Sequence, residues 1–187
     1  MITNNSYQER IVNHYELIFK NKAQMYLYDK GPIQKLPFNF RILEFPPHVN
    51  RNMWTYATCC MSQVEDKHPI ELHIFSSVRD EGLIELLTAA TYYHRNTNKL
   101  GLNHTINFGR SWQNISKCTF GYISLPYLDG PSLETLMLDN NQIKFYWLIP
   151  VTEDEVKYKT KFGPEALEAT FEEKGFDYIN PERPGVV

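Results

Sequence analysis

Residues 142–150, with the sequence QIKFYWLIP, constrain the fold more than any other segment of the chain. Phe145 and Trp147 occupy alternate positions, and the residues between and after them, Tyr146 and Leu148, are apolar as well. Alternation with a period of two is typical of a β-strand, and apolar residues on both sides indicate that both faces are covered. The chain therefore needs a sheet with other layers packed on each face.

Further strands are predicted wherever β-branched and aromatic residues concentrate between turn-forming residues. The acidic and basic residues 65–67 separate two of these strands and predict the tip of a hairpin. The predicted strands are residues 24–28, 40–45, 54–62, 69–75, 105–108 and 119–126.

Four helices are predicted from their start signals. A capping box, in which a Ser or Thr side chain and an acidic side chain three residues later cap the first turn, marks a helix start. A Gly-Pro pair before an apolar stripe predicts the last helix, which ends at Gly175. The pairs are Ser6 with Glu9, Ser77 with Asp80, and Thr152 with Glu155, followed by Gly163-Pro164.

The order of these elements, with few strand–helix–strand alternations, predicts an α+β fold. We expect a mixed, largely antiparallel sheet flanked by helices, and a single domain spanning residues 1–187. A chain of 187 residues is long enough to bury a substantial core in one domain.

Composition excludes several classes of protein. The net charge of −3 and the pI of about 6.1 argue against a general nucleic-acid binder. No apolar run approaches the roughly 20 residues that cross a bilayer, and the first residues do not resemble a secretory signal. We expect a cytoplasmic protein with no membrane or direct nucleic-acid contact.

The three cysteines, Cys59, Cys60 and Cys118, are an odd number and two are adjacent, which is a poor disulfide framework. We expect them to be buried free thiols. The six histidines show no metal-ligand spacing, so neither a metal nor another cofactor is expected.

Motifs for catalysis are not evident. The sequence lacks a glycine-rich phosphate loop and a G-x-S-x-G nucleophile turn, and its acidic clusters fall at predicted helix starts. One weaker alternative is an enzyme that pairs Cys60 with His73 or His94, since such partners need not be adjacent in sequence.

Charge is distributed unevenly along the chain. Residues 1–127 hold 13 Lys and Arg against 10 Asp and Glu, whereas residues 128–187 hold 6 against 12. This excess is either a solvated helical surface or a docking face for a basic partner, because complementary potentials speed association. A basic nuclease is one such partner.

Three stretches resemble suppressor-of-fused-like domains. Residues 54–62 (WTYATCCMS) resemble the family strand W-x-Y-x-T-x-G-M-S, with Cys60 where the family commonly has glycine. The closing run is similar to the bacterial branch nearly end to end, and the resemblance covers about residues 25–187. The other matching stretches are residues 71–75, 145–152, 155, 165–168 and 171–178.

The resemblance implies an α+β fold and a binding function. Animal members are regulators that sequester a transcription factor through a short peptide, bacterial members are often immunity proteins that neutralise secreted toxins, and neither branch is known for catalysis. The resemblance therefore predicts a non-catalytic immunity protein for a basic toxin, with a peptide-binding adaptor as the alternative. Aromatic and acidic residues outside the predicted strands are the candidate contacts: Trp112, Tyr127, Asp129 and Glu134.

Overall fold

The structure is a computed structural model that describes residues 4–31, 33–113, 115–138 and 141–187. These ranges contain a short 3₁₀ turn at Ile33–Lys35, five helices and eight strands. The helices are α1 (Asn4–Phe19), α2 (Gly82–Asn96), α3 (Pro131–Glu134), α4 (Glu153–Phe162) and α5 (Pro164–Lys174). The strands are β1 (Gln24–Tyr26), β2 (Arg41–Phe45), β3 (Trp54–Cys59), β4 (Ile70–Ser76), β5 (Thr105–Asn107), β6 (Phe120–Ser124), β7 (Thr135–Leu138) and β8 (Asn141–Val151).

The eight strands form one sheet in the order β1-β2-β3-β4-β8-β6-β5, with β7 paired to the first half of β8. Strands β4 and β8 run parallel, and the other pairs within the described ranges are antiparallel. The predicted α+β fold with a mixed, largely antiparallel sheet is therefore confirmed. The hairpin predicted around residues 65–67 is confirmed as the antiparallel pair β3–β4.

Strand β8 is buried on both faces, as its sequence predicts. Phe145 and Trp147 face the side covered by α1 and α5, whereas Leu148 faces the side covered by α2. Each helix buries an apolar stripe against its face of the sheet, which removes that surface from water. On α1 the buried residues are Tyr7, Ile11, Val12, Tyr15 and Phe19, and on α2 they include Leu83, Leu86, Leu87 and Ala90.

The predicted helix starts are partly correct. Thr152 and Glu155 form a full capping box at α4, and Pro164 begins α5. The box predicted at Ser6 is wrong, because α1 begins at Asn4 and Ser6 lies inside its first turn. The box predicted at Ser77 is also wrong. Helix α2 starts at Gly82, and Asp80 accepts a hydrogen bond from the Gly82 amide at 2.8 Å.

No helix in the described ranges combines the length and apolar character that crossing a bilayer requires.

Candidate partner-binding groove

A groove with a volume of about 650 Å³ lies between α5, the ends of β6 and β8, and the segment that follows α5. Residues 176–187 are called the tail, and Phe176 and Tyr178 at its start form one wall. Helix α5 forms the opposite wall and the sheet forms the floor. The groove is lined by Ser124, Tyr127, Leu128, Trp147, Ile149, Glu165, Glu168, Ala169, Phe171, Glu172, Gly175, Phe176 and Tyr178.

The floor of the groove is aromatic. The Trp147 ring lies 5.2 Å from the Tyr178 ring in an edge-on arrangement, and Phe171 stacks on Phe176 with 4.3 Å between ring centroids. Trp147 is only 4% exposed, and its Nε1–H has no hydrogen-bond partner among the described residues. An indole N–H normally finds an acceptor when it is buried, so the floor holds an unused donor.

The tail is held against the body of the protein by one buried ion pair. Arg183 donates to both carboxylate oxygens of Glu155 at 2.7 and 2.8 Å and to the Pro150 carbonyl at 2.9 Å. The side chains of Arg183 and Glu155 are 4% and 0% exposed. Because Glu155 also caps α4, one carboxylate fixes both the helix start and the tail that shapes the groove.

The rim of the groove is acidic. Glu165, Glu168 and Glu172 follow one another at helical spacing on α5, so they share a face. The Glu168 carboxylate accepts hydrogen bonds from the hydroxyls of Tyr122 at 2.9 Å and Ser124 at 2.5 Å. Burial raises the pKa of the Tyr122 phenol well above its usual value, and Glu168 raises it further. The hydroxyl therefore stays a donor at neutral pH.

Of the four residues named from the sequence, the structure brings Tyr127 to the groove. Its side chain is 58% exposed at the lip, and its hydroxyl donates to Glu168 Oε2 at 3.1 Å. Burial raises the pKa of Tyr127, followed by the charges of Glu168 and Glu134. Glu134 is half-buried at the end of α3, close enough to act on Tyr127 through its charge but not part of the lining.

Asp129 lies just beyond the groove, and its carboxylate is not free. It pairs with Arg51, and the two side chains are 4% and 10% exposed. The Arg51 guanidinium lies over the rings of Phe19 and Phe75 at 4.3 and 5.3 Å. Asp129 therefore joins the loop after β6 to the loop before β3, which is a structural contact in this conformation.

Trp112 is not exposed in its loop, contrary to what its polar neighbours predict. The side chain is 1% exposed and belongs to the core on the α2 face of the sheet. Its Nε1–H donates to Ser116 Oγ at 2.9 Å, and its backbone N–H donates to the Cys118 carbonyl at 3.0 Å. The loop folds back on itself and buries the ring, so Trp112 and the groove lie on opposite faces of the sheet.

Comparison with known proteins identifies the family. The family model for suppressor of fused protein (SUFU) matches residues 37–184. The chain belongs to the suppressor of fused family. A SUFU homologue from Neisseria gonorrhoeae is 26% identical, with a TM-score of 0.87 over 98% of both chains. The search of curated proteins gave no significant match.

Two other SUFU structures share the fold. In the Sufu–Fu complex, one chain is 16% identical with a TM-score of 0.71, over 96% of this chain and 92% of that one. Drosophila Suppressor of Fused is 15% identical with a TM-score of 0.69, over 96% of this chain and 51% of its own. The family is typically protein-binding, and one of these structures is itself a complex of a SUFU protein with a partner.

Two of the SUFU-like stretches meet at a buried carboxylate, that of Glu71 near the start of β4. Glu71 accepts hydrogen bonds from the backbone amides of Met61 and Ser62 at 3.3 and 3.1 Å, and from the Thr58 hydroxyl at 2.6 Å. Burial raises the pKa of Glu71 to about 7. Cys60, which precedes Met61, has φ of +65°, a conformation that glycine adopts most easily, and this agrees with the glycine that the resemblance leads us to expect at this position.

The three side chains considered for catalysis, Cys60, His73 and His94, are all buried. All three cysteines are buried free thiols, as predicted. Cys60 lies in the core under α1, whereas His94 lies on α2 and accepts a hydrogen bond from the Leu100 amide at 2.9 Å. Within the described ranges, no cluster of three or more His, Cys, Asp or Glu side chains has metal-binding geometry.

Proposed function

We propose that this SUFU-family chain is an immunity protein, acting in the cytoplasm, that neutralises a cognate protein toxin by binding it. The observation that carries the proposal is the groove itself, which combines an aromatic floor with an acidic rim. Buried aromatic anchors supply most of the affinity in protein interfaces, and a charged rim steers the partner and selects it. The bacterial homologue of similar length supports a single-domain protein of this kind.

A basic toxin, such as a nuclease, fits the charge of this surface. A nuclease that binds phosphates carries Lys and Arg around its active site. The α5 glutamates present the opposite charge beside apolar rings, so docking there covers the toxin's substrate path without any chemical step. Tyr127 and Glu134 remain proposed contacts of this face, and Asp129 supports it from the adjoining loop. Trp112 is buried, so it can contact the toxin only if its loop opens.

The experiment is co-expression with the toxic domain encoded by the adjacent gene. We expect cells to survive and the two proteins to elute as one complex from a sizing column. Ala169 is exposed in the groove, so Ala169→Trp fills it and is expected to abolish both survival and complex formation. Ala89 is an exposed alanine of α2 on the opposite side, and Ala89→Trp is the matched control, which we expect to retain both.

Survival with Ala169→Trp at the level of the unchanged protein would rule out the groove as the binding surface. Death of cells that carry the unchanged protein, with no complex on the column, would rule out the immunity function.

A peptide-binding adaptor is the second candidate, and the open sheet edge favours it. Among the described residues β5 pairs with β6 alone, and a cavity of about 520 Å³ separates its outer side from α2. An extended peptide adds to such an edge through backbone hydrogen bonds. Pull-down with linear peptides in place of a folded toxin distinguishes the two, and in this case Ala89→Trp is the variant that loses binding.

A further inference from the structure

The three glutamates on α5 stand close together with no cation to balance them. Like charges three or four residues apart destabilise a helix by about 0.2–0.5 kcal/mol per pair. In the part of the chain that the structure describes, none of Glu165, Glu168 and Glu172 forms an ion pair within 4.0 Å. Lys159 approaches this region, with its Nζ 5.6 Å from the Tyr122 ring centroid, but makes no such pair.

The surface beside these carboxylates is aromatic and has an unused hydrogen-bond donor. Trp147, Phe176 and Tyr178 present ring faces and edges within the groove, and the buried Trp147 Nε1–H has no acceptor among the described residues. An acidic rim by itself says nothing about a ligand. The rings of Phe176 and Tyr178 in the same cavity are a second feature, because a planar cation packs on aromatic rings.

Arginine is the side chain whose chemistry matches both features. Its guanidinium is planar, always charged and weakly hydrated, so it stacks on aromatic rings and donates in pairs to carboxylates. Lysine offers a strongly hydrated point charge that gains less from flat rings. Glu168 Oε2 accepts one described hydrogen bond, from the exposed Tyr127 hydroxyl, and has room for another donor.

We propose that the groove is a receptor for one arginine side chain of the partner, an inference that rests on the proposed function. The guanidinium lies against the aromatic floor and donates to Glu168 and Glu172. The partner therefore presents an exposed arginine at the centre of its contact surface.

The test is an NMR titration of the full ¹⁵N-labelled chain with N-acetyl-arginine N-methylamide. We expect the indole N–H signal of Trp147 to shift with saturation, while those of Trp54 and Trp112 stay fixed. The Trp147 signal is assigned from its loss in Trp147→Phe. The citrulline analogue has the same shape without the charge and is expected to give no shift. The lysine analogue is expected to bind about tenfold more weakly.

Matched variants locate the site. Glu168→Gln and Glu172→Gln are each expected to weaken binding of the arginine probe about tenfold, because a charge-assisted hydrogen bond is lost. Glu173→Gln removes the same charge from an exposed position outside the groove and is expected to leave binding unchanged. Because the Glu172 carboxylate makes no described hydrogen bond to the protein, its variant reports on the ligand even if Glu168→Gln perturbs the fold.

No shift of Trp147, or equal shifts with citrulline, would overturn the arginine receptor. That failure is separate from failure of the immunity function. A chain that forms the toxin complex but ignores the arginine probe contradicts only the receptor, whereas a chain that binds the probe but forms no toxin complex contradicts only the immunity function.

Discussion

At Cys60 the backbone conformation affects the stability of the protein more than the side chain does. Its φ of +65° costs a non-glycine residue about 1 kcal/mol, whereas Cys59, one position earlier, lies in β3. We predict that Cys60→Gly changes the free energy of unfolding by less than about 1 kcal/mol, because relief of strain offsets the lost thiol. Cys59→Gly is expected to lower it by about 2 kcal/mol. Urea denaturation measures both, and equal losses would contradict the explanation.

His73 makes the stability of the protein depend on pH. It is buried among the rings of Tyr15, Phe19 and Phe75, and both ring nitrogens lack partners among the described residues. Burial, followed by the charge of Arg51, lowers the pKa of His73 to about 3. In the unfolded chain the His73 imidazole binds a proton below about pH 6.5, whereas in the folded chain it stays neutral down to about pH 3. The free energy of unfolding is therefore highest above pH 6.5 and falls as the pH drops toward 3.

His73→Phe keeps the ring packing and removes this proton. When the pH is lowered from 8 to 5, we predict that the free energy of unfolding falls by about 2 kcal/mol less in His73→Phe than in the unchanged protein. His104 is exposed, and His104→Phe is the control, which should follow the unchanged protein. Parallel curves for the unchanged protein and His73→Phe would show that His73 is accessible to protons in the folded state.

Trp112 shows why single residues are harder to place from sequence than elements. Its sequence neighbours are polar, which is typical of an exposed loop, yet the ring is buried. The decisive contacts come from Ser116 and Cys118, which the loop brings back over the indole. The residues next to Trp112 in the sequence do not indicate that the loop folds back over the indole. By contrast, the apolar alternation in residues 142–150 predicts that Trp147 is covered, and the structure shows that it is buried and also lines the groove.

At the scale of helices and strands, sequence patterns are informative where an element is long enough to show its period. All six of the shorter predicted strands, and β8, are present. The missed elements are α3 and β7, which have four residues each and show no usable periodicity. The capping box predicted at Ser77 is absent because β4 extends to Ser76, directly before it. The chain then turns, and the Ser76 hydroxyl donates a hydrogen bond to the Val78 carbonyl.

The acidic spacing on α5 was the available signal for the groove. Glu165, Glu168 and Glu172 share a helical face, and sequence alone identifies that face. The sequence does not predict the opposite wall of the groove, which the tail forms. The tail is held there by the ion pair between Arg183 and Glu155, and these two residues are far apart along the chain. Long-range pairs of this kind depend on the completed fold.

The Arg183–Glu155 pair gives a prediction about the tail. Arg183→Met leaves a buried carboxylate without its partner, and we expect the free energy of unfolding to fall by about 3 kcal/mol. The tail should also become sensitive to limited proteolysis. Glu182 is the exposed neighbour, and Glu182→Met should change stability by less than about 0.5 kcal/mol. If the tail of Arg183→Met resists proteolysis as well as that of the unchanged protein, the aromatic contacts hold the tail without the ion pair.

For the whole molecule, the uneven distribution of charge predicts how fast the partner associates. Replacing Glu165, Glu168 and Glu172 together with Gln is expected to lower the association rate about tenfold at low ionic strength. The difference should disappear at about 1 M salt, where the Debye length is near 3 Å. Stopped-flow mixing with the toxin domain measures the rate. A loss of association rate that persists in high salt would contradict long-range steering as the cause of the slower association.

We infer that this SUFU-family chain acts by covering a partner with the groove between α5 and the tail. Hydrogen–deuterium exchange of the chain, alone and bound to the toxin domain, tests it most directly. We expect new protection in α5 and in residues 176–179 of the bound chain, with the α2 face unchanged. Protection confined to α2 and β5, with α5 and the tail exchanging as in the free protein, would contradict it.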